Sequence, residues 1–472
     1  MDRPTLEILP PEILHGICSA LLQDDKPSVA AFSLTSRRIH AFAAAALFRT
    51  LTSVVASSVP KNPDTTQLWT TRQASSLPNL LRTVLTNKEI ASYVREINFD
   101  TPQNSITIFV TRNDDRILRT AADGVGLSLP ARLSGREAMQ CMTEILAINT
   151  PNLRCLRFSC SIIHYGLKPP MAQMKPSTGR MLPPMQIIRA AAIAAEGHPP
   201  LLPSLVDVRI RDVGSVECIR PLSKLSPNIS TLHLHRVCGH IVDVWFANVK
   251  CLQLTDADFT AREFKDLIGG FPVLERLRLQ YFSIDWEDRQ RLVVNPQQVI
   301  EALKPVATRM RELRLRFARW QQRHRDINLL DQQSTDHPAP AGLLTSLETF
   351  KALEHLDVDG SCLWATRYYE KQETNQAKVN SLLSMLPQGL LKLEFEGLRD
   401  DIDDLDDDDE DGLLILARQV KQRCPELQQV TYCSSLSENV VEGRLPALMR
   451  AFSAEGIAFR FLEWSARVGF SE

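Results

Sequence analysis

Nine short stretches of this chain share one arrangement of apolar and polar positions. Each has an apolar residue, two variable residues, then an apolar–variable–apolar triplet. They are Leu153-x-x-Leu156-x-Phe158, Leu205-x-x-Val208-x-Ile210, Ile229-x-x-Leu232-x-Leu234, Val249-x-x-Leu252-x-Leu254 and Leu274-x-x-Leu277-x-Leu279. Met310-x-x-Leu313-x-Leu315, Leu353-x-x-Leu356-x-Val358, Leu390-x-x-Leu393-x-Phe395 and Leu427-x-x-Val430-x-Tyr432 complete the set. Alternation with period two predicts a short strand that buries every second side chain. One such strand cannot bury its apolar face alone, so the recurrence predicts stacked units sharing one continuous core. With the fourth pattern residue as anchor, successive spacings are 52, 24, 20, 25, 36, 43, 37 and 37 residues. A tenth candidate, Val94-x-x-Ile97-x-Phe99, precedes the series.

Residues 6–51 lack this pattern and read as three short helices. Pro10-Pro11-Glu12 puts proline and an acid in a first turn, where both are favourable. Ile13, Leu14, Ile17 and Leu21 follow at helical spacing and form one apolar face. Ser28 is placed to cap a second helix bearing Val29, Ala31 and Phe32. Ser36 is placed to cap a third, with Ile39, Phe42, Ala43, Ala46 and Leu47 on one stripe. Residues 57–64 read as linker and Ser76–Ile90 as one helix. Between the strands, 166–200 holds seven prolines and four methionines around a helical stretch at Ile187–Ala195, and is expected to be a poorly ordered loop carrying a short helix. Positions 400–411 are acidic at ten of twelve sites, a self-repelling run expected to be solvated.

The strand pattern resembles the leucine-rich repeat, whose usual period of 20–29 residues matches the three short spacings. The N-terminal segment resembles an F-box domain in three landmarks: Leu9-Pro10-Pro11-Glu12-Ile13-Leu14, Ser33-Leu34-Thr35-Ser36-Arg37-Arg38 and Leu47-Phe48-Arg49-Thr50-Leu51. The expected fold is an α/β solenoid: a three-helix F-box in 1–51, a linker and helical entry in 52–90, and an irregular leucine-rich-repeat horseshoe in 91–465. Loop insertions are expected near 166–200, 321–346 and 398–412. The resemblance implies that the helices dock on a Skp-family adaptor and, through it, on the cullin and RING subunits of an SCF-type ubiquitin ligase. Leu9, Pro10, Glu12, Ile13, Leu14 and Ile17 would supply that contact. The link Gln23-Asp24-Asp25-Lys26 departs from the family, which often has apolar contacts there, and this puts the strength of adaptor binding in doubt. Two other readings stay open: the helices only cap the repeats of a non-catalytic scaffold, or an F-box protein acts outside the cullin complex.

Strand alternation also assigns residues to the concave face, opposite the buried leucines. Arg209, Arg211, His233 and His235 fall there on the earlier strands, and Arg276, Arg278, Arg314 and Arg316 on the middle ones. Asp357, Asp359, Glu394 and Glu396 follow. A bipolar groove is therefore expected, basic in the middle and acidic toward the C-terminal strands, with a protein target bound by complementary charge. The acidic end argues against nucleic acid.

Composition narrows the function classes. The 472 residues are 44% hydrophobic and 23% charged with net charge −2, so no global pull toward polyanions exists. The first residues show no basic segment followed by an apolar one, and the longest apolar run, Ala41–Phe48, is far below the ~20 residues a membrane span needs. Ten cysteines without a CxxC pair indicate reduced thiols and a cytoplasmic or nuclear protein. His233, His235, Cys238 and His240 cluster but match no structural zinc spacing, so no metal or other cofactor is expected. No phosphate loop, dinucleotide fingerprint or nucleophile elbow occurs, and no enzymatic activity is expected.

Overall fold

The computed structural model describes residues 6, 9–24, 26–52, 76–99, 112–131, 133, 135–159, 185–238, 244–257, 259–280, 294–317, 344, 346–363, 374–396, 412–434 and 444–463. The chain divides into two compact units, Met1–His235 and Arg236–Glu472.

The first unit begins with helices α1 (Pro11–Asp24), α2 (Lys26–Ser33) and α3 (Arg37–Arg49), which run directly into strand β1 (Thr50–Thr52). The Ser36 hydroxyl accepts from the Ile39 amide at 3.2 Å and starts α3. Cys18, Val29, Ala43 and Ala46 form the buried centre of the three helices, with Leu21, Leu22, Phe32, Phe42 and Leu47 packed around it. Then come α4 (Ser76–Thr86), α5 (Lys88–Tyr93), β2 (Glu96–Phe99), α6 (Arg112–Asp123), α7 (Gly135–Ile148) and β3 (Cys155–Ser159). The unit closes with α8 (Gln186–Ala194), β4 (Asp207–Arg211), α9 (Arg220–Leu225) and β5 (Thr231–His235). These five strands of the main sheet are parallel, and each pairs with its neighbours in that sheet.

The second unit alternates strand and helix in the same way. Its elements are β6 (Cys251–Thr255), α10 (Ala261–Gly269), β7 (Arg276–Gln280), α11 (Pro296–Leu303), β8 (Glu312–Arg316) and β9 (His355–Val358). They continue through α12 (Asn375–Met385), β10 (Lys392–Glu396), α13 (Gly412–Arg423), β11 (Gln429–Ser434), α14 (Leu445–Ala454) and β12 (Ala458–Glu463). These seven strands are also parallel and sequential. Two helices open on reciprocal capping boxes, Thr260 with Glu263 and Asn295 with Gln298.

The expected anchors align across the strands. In the first unit Ile97 faces Leu156, Leu156 faces Val208 and Val208 faces Leu232. In the second, Leu252, Leu277, Leu313, Leu356, Leu393 and Val430 stand in one row. Every residue in these rows is essentially buried. Parallel strands joined by helices, with one residue of each strand stacked in register, make an α/β, solenoid-like architecture.

Four local expectations are corrected. Ser76–Ile90 is two helices: the Asn87 side chain accepts from the amides of Glu89 and Ile90 at 3.0 and 3.2 Å and begins α5. Thr50 and Leu51 belong to β1, not to a helix end, and Leu51 stands in register with Ile97. Within 166–200, the expected short helix is present as α8, but it is packed into the core through Ile187, Ile188, Ala191 and Ala192. Its N-cap, Met185, has φ 61° and offers no side-chain cap. The buried Glu144 of α7 caps it from outside, accepting from the Ile187 and Ile188 amides at 2.8 and 3.1 Å. Finally, β12 is a strand that the pattern does not mark, with Phe459 in register with Val430. Residues 166–184, all of 321–346 except 344 and 346, and 398–411 lie outside the described residues.

Candidate functional site

The first candidate surface is the outer side of the N-terminal helices. Helix α1 turns Leu14 and Cys18 inward, each with no exposed surface, while Ile13 one residue earlier is 50% exposed. Pro10 and Glu12 are exposed, and Leu9 and Ile17 half-buried. Leu14 was expected to contribute to docking, but with no exposed surface it is turned to the interior, about 100° round the helix from the exposed Ile13. The Arg38 Nη2 donates to the Leu9 carbonyl at 3.1 Å and ties the start of α1 to the first turn of α3. The turn before α3 carries Leu34, 83% exposed, a residue not singled out from sequence. Its signal was there: it is the one apolar residue in the polar turn Ser33-Leu34-Thr35-Ser36. At the divergent link, the Lys26 Nζ lies 3.4 Å from the Thr52 Oγ1.

The second candidate surface is the strand face opposite the anchors. In the first unit, Asp207 takes Arg209 Nε at 3.3 Å and Arg157 Nη2 at 3.8 Å. Arg211 and His233 are half-buried. Asp212 takes the Ser159 hydroxyl at 3.1 Å and has His235 Nδ1 at 3.9 Å. The aspartate thus stands between serine and histidine, the reverse of a nucleophile–base pair, and receives the serine proton without removing it.

In the second unit the strand face is an ionic network. Glu312 Oε1 accepts from Arg278 Nε and Arg314 Nε, each at 2.8 Å. Arg314 Nη1 lies 3.6 Å from Asp357 Oδ2, and Arg316 Nη2 donates to Asp357 at 2.7 Å and to Glu394 at 3.3 Å. The expectation of a groove with separated signs is therefore corrected. Parallel strands in register stand about 4.8 Å apart, so Arg314 falls beside Asp357 and the two charge blocks neutralise each other. Asp357 is 0% and Asp359 3% exposed, so neither offers a free charge to a partner. Asp359 accepts from the Phe317 amide and from the Cys362 thiol. The Glu396 side chain lies outside the described residues. The repeat pattern does not single out Glu312, although alternation puts it on the same face as Arg314. Burial alone would raise its carboxyl, but the Arg278 hydrogen bond and the Arg278 and Arg314 charges hold it below the usual range. Burial, with Arg314 nearby, depresses the His355 imidazole.

Other chemistry is sparse. Burial pushes the thiols of Cys155, Cys218 and Cys424 up to about 11 and raises Cys18, Cys141 and Cys362 as well, which makes them poor nucleophiles. Among the described residues no three His, Cys, Asp or Glu side chains are grouped to hold a metal ion; His240 and the Cys238 side chain lie outside that set. No described helix is long and apolar enough to cross a membrane. Neither protein-family models nor curated proteins give a significant match to the chain.

Proposed function

We propose that this chain is the target-recognition subunit of an SCF-type cullin–RING ubiquitin ligase, an F-box protein with leucine-rich repeats. Its N-terminal helices bind a Skp-family adaptor, and its strand face holds a target protein. The chain itself makes and breaks no bonds; it raises the local concentration of the target at the ligase. The observation that carries this reading is the exposure of Ile13 on α1 and of Leu34 in the turn before α3, outside three helices whose core is already closed. A contiguous exposed apolar patch marks an interaction site, and both residues lie in the segment whose F-box resemblance implies docking. A second reading has support of its own: α3 continues into β1, and α3 packs on α5, as expected of a cap on the first strand of the unit.

Co-expression with a Skp-family adaptor, followed by size-exclusion chromatography, separates the two. Wild type should elute as a stoichiometric complex. Ile13→Asp and Leu34→Asp should each weaken it by roughly 2 kcal/mol or more, as loss of an interface anchor does, while the far-ultraviolet circular dichroism stays unchanged. Well-folded wild type that forms no complex would refute the adaptor reading and leave the helices as a cap.

A further inference from the structure

The network of the second unit is not closed at its β7 end. Three carboxylates, Glu312, Asp357 and Glu394, are matched by three arginines, Arg278, Arg314 and Arg316. Arg276 is left over. It is exposed and on the same face as Arg278 two residues on, and its side chain makes no ion pair or hydrogen bond with any described residue. Arg278 uses only its Nε on Glu312, so the terminal Nη pair, the edge that binds a carboxylate bidentately, has no partner among the described residues. Because Glu312 grips Arg278 and Arg314 by the same atom of each, both guanidinium groups are held in place before any ligand arrives. The neighbouring outward positions, Gln253, Thr255 and Gln280, are polar, uncharged and half-buried. They supply hydrogen bonds without charge competition.

We propose that Arg276 and Arg278, with Arg278 oriented by Glu312, form a carboxylate-receiving site for an acidic segment of a partner protein. Carboxylate fits better than phosphate. Among the described residues the site has one uncompensated positive charge, and the Glu312 carboxylate beside it would repel a dianion more than a monoanion. This assigns a chemistry to the target surface of the preceding reading, but the binding itself needs no adaptor.

The test uses the full chain alone and three fluorescein-labelled decapeptides: alternating Glu-Ser, the same peptide with Gln for Glu, and the same with phosphoserine for Glu. Fluorescence anisotropy is read at 50 and 200 mM salt. The Glu peptide should bind, weaken as salt rises, and bind about tenfold less well to Arg276→Glu. Arg276 is exposed and unpartnered, so this variant retains the fold. Arg262→Glu, on the exposed side of α10 (its side chain is 93% exposed), serves as the control and should bind as wild type. Glu312→Gln should bind the phosphoserine peptide more tightly than wild type does. Equal binding of Glu and Gln peptides, or equal losses in the Arg276 and Arg262 variants, would overturn the site. Clearly tighter binding of the phosphoserine peptide to wild type would overturn the choice of carboxylate. None of these outcomes bears on adaptor binding, so failure here and failure of the ligase reading remain distinguishable.

Discussion

At the scale of single residues, the least ordinary group is Glu144. It is fully buried and receives Gln140 Nε2 at 2.8 Å besides the two amides of α8. Burial outweighs those donors and pushes its carboxyl from 4.5 up to about 7. The folded state therefore holds a proton that the unfolded chain gives up between about pH 4.5 and 7. Stability from this group is present below that window, falls as pH rises through it, and is flat above. Glu144→Gln should remove this slope: the stability difference between variant and wild type should grow by roughly 3 kcal/mol in favour of the variant from pH 4.5 to 7.5, read by urea unfolding. A difference independent of pH would mean the carboxylate is ionised throughout. Nothing in the sequence marks Glu144, because its partner is the start of a helix more than forty residues away. Asp357 teaches the complementary lesson. Alternation tells which face a strand residue shares, but not what lies across it; only the register with Arg314 and the reach of Arg316 reveal that it is covered.

At the scale of elements, the strands were legible and their ends were not. The ten patterned strands carry apolar residues both three before and two after the anchor. Strand β1 fails the second requirement, since Ser53 follows Leu51 by two. Strand β12 fails the first, since Gly456 precedes Phe459 by three. Both still fold as strands because a neighbouring strand offers a free edge. Helix limits depended on side-chain caps that compete with propensity, as Asn87 does between α4 and α5. Two adjacent glycines at the end of α10, Gly269 and Gly270, give a sharp test of element packing. A Cβ on Gly270 would meet the Val244 carbonyl oxygen at 2.1 Å, whereas one on Gly269 would meet nothing within 4 Å. Gly270→Ala should thus cost about 2–3 kcal/mol by overpacking against backbone. Gly269→Ala should be neutral or gain about 0.5 kcal/mol from a stiffer unfolded chain. Chemical denaturation of both variants reads the contrast, and similar values for the two would contradict the close approach of 244 to 270.

At the scale of the whole molecule, the main sheet of each unit is a row of described strands, each bonded to its sequence neighbours in that sheet. Interior strands have two partners; among the described residues β1 pairs only with β2, and β12 only with β11. Hydrogen exchange followed by mass spectrometry should therefore find the amides of β12 exchanging before those of β8 and β9. Simultaneous exchange of all strands would show that the unit opens as one. The sequential order has a further consequence, for how such a chain can change. Anchors that face each other are 24 residues apart from Val208 to Leu232 and 59 apart from Ile97 to Leu156, yet the register is the same. Loop-closure entropy grows only as the logarithm of length, so that difference amounts to about 0.8 kcal/mol. Connections between strands are therefore nearly free to lengthen, shorten or be exchanged, and a descendant of this chain can acquire new surface loops while every buried row stays where it is.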